Sequence, residues 1–258
     1  MPDVYEGAPT IVVLLFASLP KLAVFIFLVK FYISFLHEIA GLWYTIFFFA
    51  GLISILWGTF GALNQLNIKR LYAYSAIVNV GYLLTALAYG SFESIVVVIN
   101  FLVVYLLSTL LLFLVILAFR EVSGFRKIKF IGEYRLYLTY SSLAAILFSL
   151  VFFSMAGVPP LAGFFIKFFL FKMVFLSDFL LNPAVFIILV TSVVSTLYYI
   201  RAVRFVFFDS KIVPVFLVPL NLGMGFLFVF NLIVIIIFAI FQPLMLAYIT
   251  NIIEAVYF

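Results

Sequence analysis

Cysteine is absent from the sequence. Disulfides, thiolate metal sites and cysteine-held iron–sulfur clusters are therefore excluded for this chain. Histidine occurs once, as His37 beside Glu38 at a helix end, where a lone imidazole reads as solvated rather than as a ligand. Charge is scarce: 9% of residues are charged against 69% hydrophobic, and the mean hydropathy is +1.42. A soluble globule needs a polar shell over its core, and this balance leaves none. Gly-rich phosphate loops, paired catalytic carboxylates and nucleophile elbows are also missing, so the chain shows no nucleotide, hydrolytic or redox chemistry of its own. Nor does it open like a secretory leader, since MPDVYEGAPT is acidic and turn-like. What abounds is phenylalanine, with 36 residues, a usage that fits an AT-rich coding genome such as an organelle's.

The composition predicts an all-α, polytopic membrane helix bundle, because apolar runs of roughly 20 residues repeat from end to end. After an inside-facing N-terminal loop at 1–9, seven spans are predicted at 10–36, 41–63, 68–89, 93–119, 137–177, 183–208 and 215–250. A straight helix over 137–177 would run about 61 Å, twice the hydrocarbon thickness. It contains MAGVPPLAG, and Pro159 and Pro160 remove two backbone donors, so the helix must break near Gly157. Pro20 is a further candidate break, in the first span.

Charge placement decides how to count the broken segment. If it crosses once, the N-terminal side collects Lys69, Arg70, Arg120, Arg126, Lys127, Lys129, Arg135, Arg201, Arg204 and Lys211. The opposite side holds only Lys30 and Lys172. Two crossings would dilute that bias. The positive-inside rule favours one broken span, with the N-terminus inside and the C-terminus outside. In a mitochondrion, inside is the matrix.

Two cations remain within the membrane. Lys21 lies near the middle of the first span in SLPKLAVF, and Lys167 follows the double proline in LAGFFIKFFLF. A lysine at the bilayer centre costs about 3 kcal/mol, and Lys21 is about 15 Å from either end of its span, too far to snorkel. Every Asp and Glu falls in a predicted loop or span end, so a carboxylate partner would come from another chain. Burial disfavours a charged ammonium, which makes a buried lysine a group that takes up and gives off protons. Carbonyls freed at a broken helix hold water, and water conducts protons. Ser75, Asn79 and Tyr82 on the third span, with Asn100, Tyr105, Ser108 and Thr109 on the fourth, are candidates for the wire; for each singly, helix packing is the more ordinary role. Lys69 reads equally as a pathway residue or as an anchor beside Arg70. RKIKF at 126–130 reads as an orientation signal or a lipid contact, and nothing points to nucleic acid.

At these residues a resemblance appears. PDVYEGAP (2–9), NIKRLYAYSAIVNVGY (67–82), SMAGVPPLAGFFIKF (154–168), LYYIRAV (197–203) and FQPL (241–244) resemble, in order and spacing, subunit 2 of mitochondrial complex I. This family, with its bacterial N-subunit counterpart, comprises antiporter-like membrane subunits of proton-pumping NADH:ubiquinone oxidoreductase. It has fourteen spans in two inverted repeats, each with a broken helix. The resemblance implies that this sequence holds spans eight to fourteen. Lys21 would match the central lysine of span eight, Lys167 that of the broken span twelve, and Lys69 the basic pair opening span ten. Asn79 stands where the family often has a protonatable histidine.

The family's glutamate of span five and lysine of span seven fall outside the matched half. The expectation is a split subunit, its front half supplied by a separate polypeptide that completes the acidic partner of Lys21. The resemblance further implies residence in the mitochondrial inner membrane with other complex I subunits and lipids. The chain itself would bind no cofactor and no metal, and NADH, FMN, iron–sulfur clusters and ubiquinone would act elsewhere in the complex. Two alternatives stand beside this reading. A stand-alone cation/proton antiporter would work without redox partners, and a structural subunit that no longer pumps would tolerate loss of both lysines.

Overall fold

Apolar segments in a medium without water must satisfy their own backbone hydrogen bonds, and this chain does so with helices. The computed structural model describes residues 1–32, 40–118, 130–135, 142–176, 183–208 and 222–257. Its helices are α1 (Pro2–Gly7), α2 (Thr10–Phe31), α3 (Ala40–Leu63), α4 (Ile68–Ala88), α5 (Phe92–Ala118), α6 (Ser142–Ala156), α7 (Ala162–Leu176), α8 (Pro183–Phe208), α9 (Leu222–Ile240) and α10 (Gln242–Tyr257), with a short 3-10 turn at Ile131–Arg135. Among the described residues the only β pairing is an isolated bridge between Asn67 and Phe130. Five helices are long and apolar enough to cross a bilayer, or six if the bent pair α9–α10 counts as one crossing. His37, Glu38, the basic stretch 120–129 with RKIK, Asp178, Asp209 and Lys211 lie outside the described residues.

Three stretches depart from the sequence expectation. Residues 2–7 are helical rather than a loop: Pro2 opens α1, where a missing N–H is harmless, and Asp3 follows in the first turn. Pro20 lies inside α2 and does not break it. A single proline deletes one backbone bond, which a membrane helix tolerates, whereas the double proline follows a residue that has already left the helical region. Finally, the described part of 215–250 is not one straight helix. α9 and α10 meet at 83° around Phe241, because Pro243 lacks an N–H and crowds the preceding turn.

The anticipated interruption at Gly157 is a C-terminal cap. Gly157 has φ +88°. Its N–H donates to the Ser154 carbonyl at 3.0 Å, and the Val158 N–H reaches back to the Phe153 carbonyl at 3.0 Å. This is the paired Schellman arrangement, and the left-handed residue that closes it is disfavoured for any side chain with a Cβ. Pro159 and Pro160 follow in the connection, and α7 restarts at Ala162. The described part of each half is 15 residues, or about 22 Å.

α5 is the centre of the bundle, touching α2, α4, α6, α7, α9 and α10. Its apolar residues are buried nearly all round, as in a helix enclosed by others. α3 and α4 form the most extensive pair. They approach through glycines: a Cβ on Gly81 would lie 2.8 Å from the Gly51 carbonyl, and one on Gly51 would lie 2.9 Å from the Gly81 carbonyl. Small residues allow the close backbone contact that drives helix association where no hydrophobic effect acts between helices.

Candidate functional site

α2 buries a narrow stripe. Val13, Ala17, Phe25 and Val29 recur four or eight residues apart, and Lys21 completes the series. The stripe packs on α5, so the lysine points at the centre of the bundle. There its Nζ donates to the Tyr105 hydroxyl at 2.6 Å and lies 5.0 Å from the same ring's centroid. A charge-assisted bond and a cation–π contact thus come from one residue. The Tyr105 and Tyr72 hydroxyls are 2.9 Å apart. Both tyrosines are buried.

Lys167 is placed by the helix break. The last carbonyls of α6 lack intrahelical donors. The cap satisfies Phe153 and Ser154, and the Ala156 carbonyl accepts from Lys167 Nζ at 2.9 Å. The C-terminal end of α6 carries the negative pole of its dipole, which favours a cation. α7 passes very close to this end: a Cβ on Gly163 would collide with the Ser154 carbonyl. The glycine therefore sets how near α7, and with it Lys167, approaches α6.

Between the two lysines lies a cavity. Its lining comes from Asn79 of α4, Phe101, Val104, Tyr105 and Ser108 of α5, Ser154 and Met155 of α6, and Gly163, Ile166 and Lys167 of α7. The α5 residues form an i, i+3, i+4, i+7 stripe on one helix face. The volume open to water centres is about 20 Å³, enough for a water molecule given these polar walls. Tyr105 both lines the cavity and binds Lys21. Tyr105, the hydrogen-bond partner of Lys21, and Lys167 thus share the wall of one cavity. Among the described residues no carboxylate pairs with either lysine; Asp3 at 2.7 Å and Glu6 at 3.1 Å pair instead with Arg70.

Of the residues singled out from sequence, the structure gathers Lys21, Lys167, Asn79 and Ser108 around Tyr105. It does not bring Tyr82 or Lys69 there, and Ser75, Asn100 and Thr109 are not in the cavity wall. The Tyr82 hydroxyl is buried beside Thr191 and Ser195 of α8, with no hydrogen-bond partner among the described residues. Lys69 lies at the start of α4, where its Nζ donates to the Ala8 carbonyl at 2.7 Å. Tyr105 is the junction, and sequence alone ranked it no higher than its neighbours. The available signal was its place on one face with Phe101, Val104 and Ser108.

Residues 1–197 match the family described as NADH:quinone oxidoreductase/Mrp antiporter, TM. The chain is 42% identical over 210 residues to NADH-quinone oxidoreductase subunit N of Methylobacterium nodulans, covering 81% of this chain and 42% of that protein. It is 36% identical over 209 residues to NADH-ubiquinone oxidoreductase chain 2 of Marchantia polymorpha, covering 81% of this chain and 41% of the relative. A chain in the structure of respiratory complex I from Thermus thermophilus with bound aureothin superposes with a TM-score of 0.76 at 28% identity, over 95% of this chain and 53% of that one. The sequence thus spans less than half the length of these curated relatives.

Proposed function

From its membership of the NADH:quinone oxidoreductase/Mrp antiporter transmembrane family, to which this chain belongs, we propose that it forms part of an antiporter-like subunit of respiratory complex I that moves protons through Lys21 and Lys167. The observation that supports the proposal is a shared cavity: Lys21 is bonded to Tyr105, and Tyr105 and Lys167 both lie in the cavity wall. Each lysine is charged or neutral according to what approaches it. Neither has a carboxylate partner among the described residues, so each responds to charge arriving from outside this chain. The front half of the fold, which this sequence does not cover, is the proposed source of the acidic group facing Lys21.

Redox energy would enter as charge displacement from neighbouring membrane subunits. Protonation of Lys167 lowers the tendency of Lys21 to hold its own proton, because like charges across a small, poorly solvated cavity repel. The proton on Lys167 then leaves past the Ala156 carbonyl at the break. The cofactors NADH, FMN, iron–sulfur clusters and ubiquinone are assigned to other subunits, and the membrane to the mitochondrial inner membrane with α1 on the matrix side. A stand-alone cation/proton antiporter is the second reading, favoured only by the Mrp branch of the family.

The deciding experiment replaces Lys167 with Met, and separately Lys21 with Met, in the assembled complex reconstituted in vesicles. The proposal expects fewer protons moved per electron with NADH oxidation retained. An unchanged ratio in both variants, with normal assembly, would overturn it in favour of a structural subunit.

A further inference from the structure

The hydroxyl pair Tyr105–Tyr72 extends the Lys21 system away from Lys167. Tyr72 lies in the second turn of α4, close to the helix end that carries Asn67, Lys69 and Arg70. Its ring is enclosed by Phe113, edge-on at 4.9 Å, and by Tyr5 of α1, stacked at 6.5 Å and 13°. Tyr5 is 4% exposed, and its hydroxyl is buried with no hydrogen-bond partner among the described residues. Burial pushes that hydroxyl up to about 12, so it stays neutral and serves as donor or acceptor. α1 is tied over this position by polar contacts at the end of α4: Arg70 with Asp3 and Glu6, Asn67 Nδ2 with Glu6 at 3.0 Å, and Lys69 with Ala8. An orphan hydroxyl on a small, polar-tethered helix, whose ring stacks on the tyrosine linked through Tyr105 to a buried lysine, is an expensive feature for packing alone.

Resting on the reading above, we propose that Tyr72 relays protons to Lys21 from the α1 face, and that Tyr5 is the cap on this entry. The transfer balances as a concerted shift along the chain. A neutral Lys21 amine takes the Tyr105 proton. The Tyr105 oxygen takes the Tyr72 proton, and the Tyr72 oxygen takes one from a hydronium ion admitted when Tyr5 lifts. One aqueous proton disappears and one lysine ammonium forms; rotation of the two hydroxyls restores the chain. The titratable groups facing the hydroxyl pair are Tyr5 from α1, Lys21 from α2 and Tyr199 from α8.

The test uses the assembled complex in vesicles. Tyr72→Phe keeps the ring and removes only the relay oxygen. It should slow proton pumping by about tenfold at pH 8, where protons are scarce, with a smaller loss at pH 6. A loss that does not vary with pH would mark Tyr72 as structural and overturn the relay. Tyr5→Ala should increase passive decay of an imposed pH gradient severalfold, and adding Tyr72→Phe should suppress that leak. A leak that is absent, or that persists in the double variant, also overturns the proposal. Lys21→Met separates the two readings. Impaired pumping with Lys21→Met beside a normal Tyr72→Phe defeats only the relay, whereas normal pumping in Lys21→Met and Lys167→Met defeats the function itself.

Discussion

At the scale of single residues, Tyr105 carries more than any charged group. It takes the hydrogen bond of Lys21, shares a second with Tyr72 and forms part of the wall of the Lys167 cavity. Tyr105→Phe keeps the ring, and with it the cation–π contact, but strands a buried amine. The expected result is a folded, assembled subunit about 1.5–3 kcal/mol less stable, with pumping reduced as far as in Lys21→Met; thermal unfolding and vesicle acidification measure the two effects. Two glycines near the break are as constrained as Tyr105. Gly157→Ala places a Cβ at φ +88° and 3.0 Å from Lys167 Cδ, and should cost about 1–3 kcal/mol. Asp3→Asn should cost less than about 1 kcal/mol in the same assay, because the carboxylate it neutralises is 85% exposed and an exposed pair contributes little.

At the scale of elements, the break between α6 and α7 converts a helix terminus into a binding partner. A continuous helix would have used the Ala156 carbonyl internally. The interrupted one offers it, with the dipole's negative end, to the lysine one helix further on. Gly163 sets the spacing, since any side chain there meets the Ser154 carbonyl. Gly163→Val should separate α7 from α6, displace Lys167 and abolish pumping; normal pumping with normal assembly would show that the close approach is dispensable. The α3–α4 pair makes a parallel prediction without functional content. Gly81→Leu, forced against the Gly51 carbonyl, should overpack the interface by about 1–3 kcal/mol or more, seen as lower recovery of assembled complex on native gels while the remaining assembled fraction pumps normally.

At the scale of the whole molecule, the arrangement is graded from an enclosed α5 and α4 to an outward-facing α2 and α3. Trp57 and Phe60 on α3, and Phe16 and Phe27 on α2, are exposed. In a membrane protein such faces meet lipid or the rest of the subunit, so their exposure is no liability. Stability rests on packing rather than on charge. Arg70 at the α1–α4 contact forms ion pairs with Asp3 and Glu6, and these are exposed or half-exposed. A tenfold rise in ionic strength should therefore move the thermal midpoint of the assembled subunit by no more than about 2 °C, because screening acts on exposed charges and hardly on buried ones. A larger shift would reveal charge contacts beyond the Arg70 pairs.

The sequence by itself determined the helical class, the isolation of Lys21 and Lys167 in apolar surroundings, the interruption near Gly157 and the family. Each follows from local rules: hydropathy over a bilayer's thickness, the cost of an unpaired charge, the backbone chemistry of Gly and Pro, and quoted motifs in order. The same local rules misjudged Pro20 and residues 2–7, because tolerance of one missing hydrogen bond depends on the surrounding helices and on where in a turn the proline falls. Only the tertiary structure decided which polar side chains meet. Ser75, Asn79, Tyr82, Asn100, Tyr105, Ser108 and Thr109 are equivalent on a list of polar residues in apolar helices. The rotation of α5 about its axis, set by simultaneous packing against α2, α4, α6 and α7, turns Tyr105 and Ser108 into the cavity. Tyr82, through its own helix's packing on Phe101 and α8, stays out of it. Facing is a property of the assembled bundle, since a helix hydrophobic on every side carries no periodic signal for which side turns inward.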